Sequence, residues 1–290
     1  MKKTAVIFSY NDGKMLLQPL RATLKSKVDE IFLLYGGENV PEEVEEIVDD
    51  RLIRVKETER KGKVNALNSI IPKINGELLF LISGDVSFDP IIFEKCEEKF
   101  TEEVGAISVK VRPRVHSNLT EGIGTLMWEM HDFQLSYLSG RGINVHGGEF
   151  LCIRTSLGWK MPEVVNEDEY LCLRAASMGL KVLYLESVEV ENTVPSNPFD
   201  LFQQRRRVNY GHLEIVKEGK DPRVMDTLLV SDTTLFLDIF AKFIRSRRVN
   251  FFHLAGAILI EFLAIASSRL DYAAGKDHRK WAMVKKEASS

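Results

Sequence analysis

Four short apolar runs alternate with helix-forming segments along the first 85 residues. The runs lie in TAVIFSY (4–10), EIFLLYGG (30–37), RLIRVKE (51–57) and LLFLISGD (78–85). Between them, KMLLQPLRATLKS repeats leucine at helical spacing (Leu16, Leu20, Leu24) despite Pro19. PEEVEEIVDD is a short acidic helix with proline near its start, and KVNALNSIIPKI is a third helix. Near-continuous apolar strands separated by helices belong in a mostly parallel sheet buried on both faces. Such sheets bind ligands beyond the carboxyl ends of their strands, at a topological switch point. Asp85 stops the fourth run abruptly and sits at one of those ends.

Beyond VGAISVKVRPR (104–114) the pattern loosens. TLMWEMHDFQLSYLSGRG reads as a helix and GGEFLCIR as a short strand. NEDEYLCLRAASMGL is a helix followed by the strand KVLYLE. From about Phe199 the chain is helical again and ends in its most apolar stretch, VNFFHLAGAILIEFLAIASS (249–268). A stretch of this length approaches the roughly 20 apolar residues that cross a bilayer. Glu261 and His253 interrupt it, and a carboxylate at mid-membrane is costly. Thr227–Ile244 carries Asp232, Asp238 and Lys242 and reads as amphipathic. With RSRR (245–248) between the two segments and a basic end containing Trp281 and Met283, the pattern predicts helices lying in a membrane interface. The alternatives are an ordinary buried helical subdomain or a single spanning helix.

Lysine and arginine total 39 against 42 acids, so bulk charge gives no nucleic-acid footprint. Three widely spaced cysteines without C-x-x-C read as reduced core residues, neither disulfides nor a zinc site. The two lysines after Met1 imitate a signal peptide, but the apolar run Ala5–Phe8 is too short for one and reads as the first strand.

Three segments could carry chemistry. ERKGKVNALN (59–68) is a basic, glycine-containing loop entering a helix, which is either a phosphate site or a solvated loop. In VNEDEYLCLR, Asn166 and Glu169 have capping-box spacing, and Glu167, Asp168 and Glu169 suit the positive end of a helix dipole. The other reading makes one of these acids a general base. Successive helical residues point about 100° apart, so only one could face a cleft. QQRRRVNYGH (203–212) presents arginines around most of a helix, suited to phosphate oxygens or simply to solvent.

Taken in order, these segments resemble the family 2 inverting glycosyltransferases, in particular the cellulose- and hyaluronan-synthase-like branch. The resemblance covers roughly residues 4–215. AVIFSYND is similar to that family's first strand and turn, GKVNALN to its G-K-x-x-A-L-N segment, and LLFLISGD to its strand ending in D-x-D. GGEFLCIR resembles the acceptor loop, NEDEYLCLRAASMGLKVLYL the E-D helix, and QRRRV the Q-x-x-R-W motif. Three departures stand out. Tyr35-Gly36-Gly37 replaces the aspartate that helps read the base, Ser83-Gly84-Asp85 keeps only the second acid of D-x-D, and Val208 replaces the tryptophan. Tyr210 or another tryptophan is the candidate substitute for the lost indole.

The resemblance implies an α/β GT-A fold, with a catalytic domain over 1–215 and C-terminal membrane-associated helices over 216–290. It implies an inverting, metal-dependent hexosyltransferase, mannose or glucose being a guess, acting from a GDP- or UDP-sugar on a membrane- or lipid-linked glycan acceptor. Asp168 is the expected catalytic base. Tyr10, Asn11, Lys63, Asn68, Ser83, Asp85, Gln204, Arg205 and Arg207 are the expected donor and diphosphate contacts, with Asn65 nearby. Gly147, Gly148, Glu149 and Glu167 are expected at the acceptor. Asp85, helped by Ser87, is expected to hold Mg²⁺ or Mn²⁺. The expected location is the cytoplasmic face of the cell membrane. A non-catalytic sugar-nucleotide or glycan binder on the same fold, or a nucleotidyltransferase, is the alternative.

Overall fold

The computed structural model describes residues 1–114, 118–143, 147–158 and 160–279. Trp281 and Met283 lie outside the described residues. Among those described, eight strands form one sheet. They are β1 (Lys3–Tyr10), β2 (Glu30–Gly36), β3 (Leu52–Glu57), β4 (Leu78–Ser83), β5 (Ser87–Phe88), β6 (Val104–Pro113), β7 (Phe150–Arg154) and β8 (Lys181–Asn192). The helices are α1 (Leu17–Leu24), α2 (Glu43–Glu46), α3 (Lys63–Ile70), α4 (Ile91–Lys99), α5 (Leu119–Ser139), α6 (Glu167–Ser177), α7 (Pro198–Lys217), α8 (Met225–Ser231), α9 (Thr233–Ser246) and α10 (Phe251–Ala273).

The sheet order is β3-β2-β1-β4-β7-β6-β8-β5. The first four strands are parallel, as the apolar runs predict. The second half is mixed: β7 runs antiparallel to both β4 and β6, while β6 and β8 pair in parallel and β5 pairs antiparallel to β8. Consecutive strands β1 and β2 pair on one side of β1 and β4 on the other, so the switch point falls between β1 and β4. The carboxyl ends there carry Tyr10 and the Ser83-Gly84-Asp85 turn.

Strand alternation sorts the core into two layers. Ile7, Leu33, Phe80 and Ile82 face α1 and α4 through Leu20, Ile92, Phe93 and Cys96. Val6, Phe32, Leu79, Leu81, Leu151 and Ile153 face α3 and α6 through Leu67, Ile70, Leu171 and Cys172. All three cysteines are free and buried, as expected. Phe80, Phe93 and Phe150 are fully buried and meet edge to face or tilted, with ring centroids 4.8–5.9 Å apart.

The long apolar stretch is α10, and it packs against α7 and α5. Its polar interruptions point at those helices: Glu261 pairs with Arg205, and Asp271 with Arg206. Phe251, Phe252, Leu259, Phe262, Leu263 and Leu270 lie exposed on the other side. By length and composition α10 could cross a membrane, and only 17% of its most apolar window is buried. The amphipathic segment before it is broken at Asp232, whose side chain caps α9 by accepting from the Leu235 N–H at 3.0 Å.

Truncating Phe80 to alanine removes the centre of the aromatic layer and leaves a cavity. Equilibrium urea unfolding should show a loss of about 3–5 kcal/mol.

Candidate active site

A cleft of about 1030 Å³ opens at the carboxyl ends of β1 and β4, and α5, α6, α7, α9 and α10 contribute to its walls. The turn Ser83-Gly84-Asp85 enters it because residue 84 has no side chain. A Cβ there would stand 2.6 Å from Asp12 Oδ2 and 2.7 Å from the Phe8 carbonyl oxygen. The close approach brings Asp12, which also accepts from the Tyr10 N–H at 3.3 Å, beside the Asp85 turn. Arg60 lies 4.6 Å above the Tyr10 ring. Glu57, level with Gly36 in the β2–β3 register, lines the same end. Burial pushes its carboxyl up, and Arg60 partly counters this. Glu57 of β3 thus brings one acidic residue beside Gly36, where Tyr35-Gly36-Gly37 itself carries none. Asn11 also lines the cleft, though its side-chain oxygen accepts from the backbone N–H groups of Glu38 (2.6 Å) and Asn39 (3.1 Å), fixing the loop after β2.

Three consecutive carboxylates open α6, and each meets a different environment. Lys63, at the start of α3, places Nζ 3.2 Å from Glu167 Oε1 and donates to Ser83 Oγ at 3.5 Å. Burial opposes the charge on Lys63, but the carboxylates of Glu167, Glu149 and Asp168 outweigh it and hold its pKa above the ordinary value. For Glu167 too, burial opposes ionisation and is overcome by Lys63 and Arg207, so its pKa falls. Asp168 is pushed up to about 6, first by burial and then by the neighbouring Glu167 charge. Gly148 is the residue that lets Asp168 project into the cleft: a Cβ there would lie 2.6 Å from its Oδ2. Glu169 turns away toward α7 and is raised to about 7 by burial. Its Oε2 faces His212 Nε2 at 3.4 Å, and Asp226 Oδ2 takes the other ring nitrogen at 2.9 Å. Burial opposes protonation of His212, but Asp226 and Glu169 lift its pKa to about 9.

Asn166 stands at the N-cap of α6 without making a side-chain cap. Its amide donates instead to Glu169 Oε2 at 3.0 Å and to the Val208 carbonyl at 3.1 Å. The capping-box alternative is therefore not what holds this helix start, and the buried carboxylate of Glu169 takes the amide first.

The three arginines spread around α7 as the sequence predicts. Arg207 reaches the Glu167–Asp168 side of the cleft and donates to the Val165 carbonyl at 3.0 Å. Burial lowers its pKa to about 10, while Glu167 and Asp168 partly restore it. Arg205 lines the cleft in a two-pronged ion pair with Glu261, at 2.8 and 3.0 Å. Arg206 turns to Asp271 on α10. Gln204 and Glu149 line the cleft, and Glu149 Oε1 accepts from Asn192 Nδ2 at 2.6 Å.

Several expected residues do not reach the cleft. Asn68 spends both ends of its amide on the backbone of Met161, at 2.9 and 3.1 Å. Asn65 donates to the Lys61 carbonyl and to Glu163. The Ser87 hydroxyl accepts from Arg114 at 2.9 Å and pairs with Glu191 at 3.4 Å, because β5 is zipped to β8. Gly147 packs against Ser108. Tyr210 does not replace the lost indole: it is buried against Tyr272 and His278. Among the described residues, Trp128 on α5 lines the cleft, edge to face with His131 at 5.8 Å. The His131 imidazole is held neutral, its pKa lowered to about 4 by burial and then by Arg205 and His212. Of the residues not anticipated, Asp12 was within reach because it follows Tyr10-Asn11. Arg60 lies in the basic loop 59–68 that the sequence had already singled out, whereas Glu57, Trp128 and His131 arrive from elements whose sequence carries no local signal.

Among the described residues no group of three or more histidine, cysteine or acidic side chains gathers as a metal site. Asp85, with the Asp12 carboxylate packed at its turn, offers the one or two carboxylates that Mg²⁺-type sites take from protein when substrate phosphates supply the rest. The donor set fits such a shared site.

Residues 3–211 match the family model described as Glycosyltransferase like family 2. No curated protein matches the sequence significantly. Among solved structures, a mannosyltransferase from Pyrobaculum calidifontis in complex with GDP-Man and Mn²⁺ superposes with a TM-score of 0.57 at 17% identity, covering 96% of this chain and 77% of that one. TarS residues 1–349 from S. aureus in complex with UDP-GlcNAc gives 0.47 at 13% identity, covering 95% and 93%. At these identities the likeness concerns the fold.

The Glu169–His212–Asp226 set makes stability pH-dependent. His212 is raised from its ordinary 6.5 to about 9, so its contribution is fully present below pH 6.5 and is lost as pH rises through about 9. His212→Gln leaves two carboxylates buried without their cation and should cost about 3–5 kcal/mol near neutral pH. Urea midpoints of both proteins across pH 6–10 should converge at the alkaline end; a constant gap would contradict the assignment.

Proposed function

The chain belongs to Glycosyltransferase like family 2, and on that premise we propose that it transfers a hexose from a nucleoside-diphosphate sugar to an acceptor hydroxyl with inversion. The observation that carries this reading is Asp168: a carboxylate raised to about 6 by burial and the Glu167 charge, projecting past Gly148 into a cleft with Lys63 and Arg207 on the same side. A general base works best with a pKa near the operating pH. In the transfer step the acceptor oxygen bonds to the anomeric carbon as the bond to the diphosphate oxygen breaks. The hydroxyl proton passes to Asp168, and the electron pair leaves with the diphosphate. Lys63 and Arg207 hold the charge that accumulates there. A divalent cation, Mg²⁺ or Mn²⁺, would be held by Asp85 with Asp12 alongside and would neutralise part of the same charge. Glu57 and Arg60, both lining the cleft near Tyr10, are the groups assigned to reading the base.

The acceptor is read as a saccharide carried on a lipid. A lipid phosphate is already ionised near neutral pH and needs no base, whereas a sugar hydroxyl does. The exposed apolar side of α10, with Arg245, Arg247 and Arg248 exposed just before it, supports residence at an anionic membrane surface. Glu261 and Asp271 are engaged by Arg205 and Arg206 on α7, which favours a helix lying along the catalytic body over one that spans the bilayer. The cytoplasmic leaflet is the proposed side.

Turnover of GDP-mannose or UDP-glucose with Mn²⁺ should rise with pH along a limb near pH 6. Asp168→Asn should reduce turnover at least 10³-fold while nucleotide affinity stays within about threefold. An unchanged rate, or an acid limb that survives the substitution, would remove Asp168 from the role.

Full-length protein should float with vesicles containing phosphatidylglycerol, and Phe252→Asp with Phe262→Asp should leave most of it in the soluble fraction. Equal flotation of both would reject α10 as the contact.

A further inference from the structure

The cleft is larger than its polar chemistry needs. Its volume, about 1030 Å³, is at the upper end for a small-molecule site, yet the cations and carboxylates of the donor end gather near β1 and β4. The remainder is walled mostly by Met130 of α5, Phe236 and Phe240 of α9, and Leu254, Ala257 and Phe262 of α10, with His131 and Asp226 lining it near Arg205. Arg205, paired with Glu261, stands among these walls as a partly buried cation. Phe262 has a double position: it lines the cleft and is also 69% exposed on the outer side of α10. Ile258 does the same at 54% exposure. The apolar half of the cleft therefore opens onto the apolar surface of the C-terminal helices.

We propose that this half holds the hydrocarbon chain of a polyprenyl-phosphate-linked saccharide acceptor, admitted beside Ile258 and Phe262, with its phosphate drawn to Arg205. The proposal rests on the lipid-linked acceptor described above and adds where the lipid lies. Three features select this occupant. Burying each methylene of a chain against an apolar wall gains about 0.8 kcal/mol, which the phenylalanine, leucine and methionine walls can supply. Phenylalanine and methionine side chains suit a methyl-branched chain, since the flexible thioether fills irregular gaps. Arg205 holds Glu261 through Nε and Nη2, and the other edge of its planar guanidinium, through Nη1, offers the phosphate a charge-assisted donor with the ion pair kept. The saccharide beyond the phosphate then lies toward Asp168.

Trp128 lines the cleft and reports binding through its fluorescence. Full-length protein should show a saturable fluorescence change with farnesyl phosphate, and none with inorganic phosphate at the same concentrations. Ala257→Phe narrows the apolar half and Leu254→Lys places a charge in it. Each should weaken farnesyl phosphate at least tenfold, thermal unfolding showing that both are folded. Binding within twofold of wild type by both variants, or no binding by wild type, would overturn the proposal. Dodecyl phosphate binding as tightly as farnesyl phosphate would overturn the choice of a polyprenyl chain. Sugar-nucleotide turnover is measured on the same protein without lipid. Turnover without farnesyl phosphate binding would defeat the lipid site and leave glycosyl transfer standing, and binding without turnover would do the reverse.

Discussion

Three carboxylates in succession, Glu167, Asp168 and Glu169, are drawn out of solvent at the start of one helix, and the surrounding structure is organised around their charge. The helix dipole alone is worth at most a kcal/mol or two to an acid at this position, too little to desolvate three. Lys63 from α3 and Arg207 from α7 therefore stabilise Glu167. His212, itself pinned by Asp226, faces Glu169. Burial raises the pKa of Asp168 and the adjacent Glu167 charge adds to it with Lys63 opposing, whereas at Glu167 Lys63 and Arg207 together overcome burial. The same charge pattern that makes the helix start expensive produces one carboxyl suited to accepting a proton. Gly148 then supplies the space in front of it.

The C-terminal helices extend this arrangement. Arg205 and Arg206, adjacent to Arg207 on α7, are stabilised by Glu261 and Asp271 on α10. The arginines of the triplet thus divide three ways, with Arg207 at the polar end of the cleft, Arg205 on its apolar border and Arg206 fastening α10 to α7. Because α10 spends its acids inward, the side it presents outward is left almost wholly apolar. Docking that surface on a membrane would bring the cleft mouth to the acceptor, so that the carboxylates that fix α10 also orient the site.

Much of this was legible in the sequence, and the rest was not for physical reasons. Apolar runs report strands because burial on both faces leaves little room for polar residues, and β1 to β4 fall where the runs predict. The mixed second half was less legible, since the antiparallel insertion of β7 between β4 and β6 depends on long-range pairing. Asp85, Lys63, Asp168 and Arg207 were legible because each sits at a strand end or on a helix with a local pattern, and all four line one cleft. Asn68 and Ser87 carried equally suggestive patterns, but a nearby backbone and a neighbouring strand claimed them. The partner of Arg205 lies 56 residues downstream, a distance over which sequence spacing carries no signal. The position of Glu57 was hidden for the same reason: it reaches the end of β2 only through the register of β3 on β2.

Direct displacement by a hydroxyl that Asp168 deprotonates has one stereochemical consequence. NMR of the glycoside formed from an α-linked sugar nucleotide reads the anomeric configuration through the one-bond C1–H1 coupling, which separates the anomers of mannose and glucose alike. A β-configured product is the predicted result. An α-configured product would mean two displacements or a different attacking face, and would contradict the role given to Asp168.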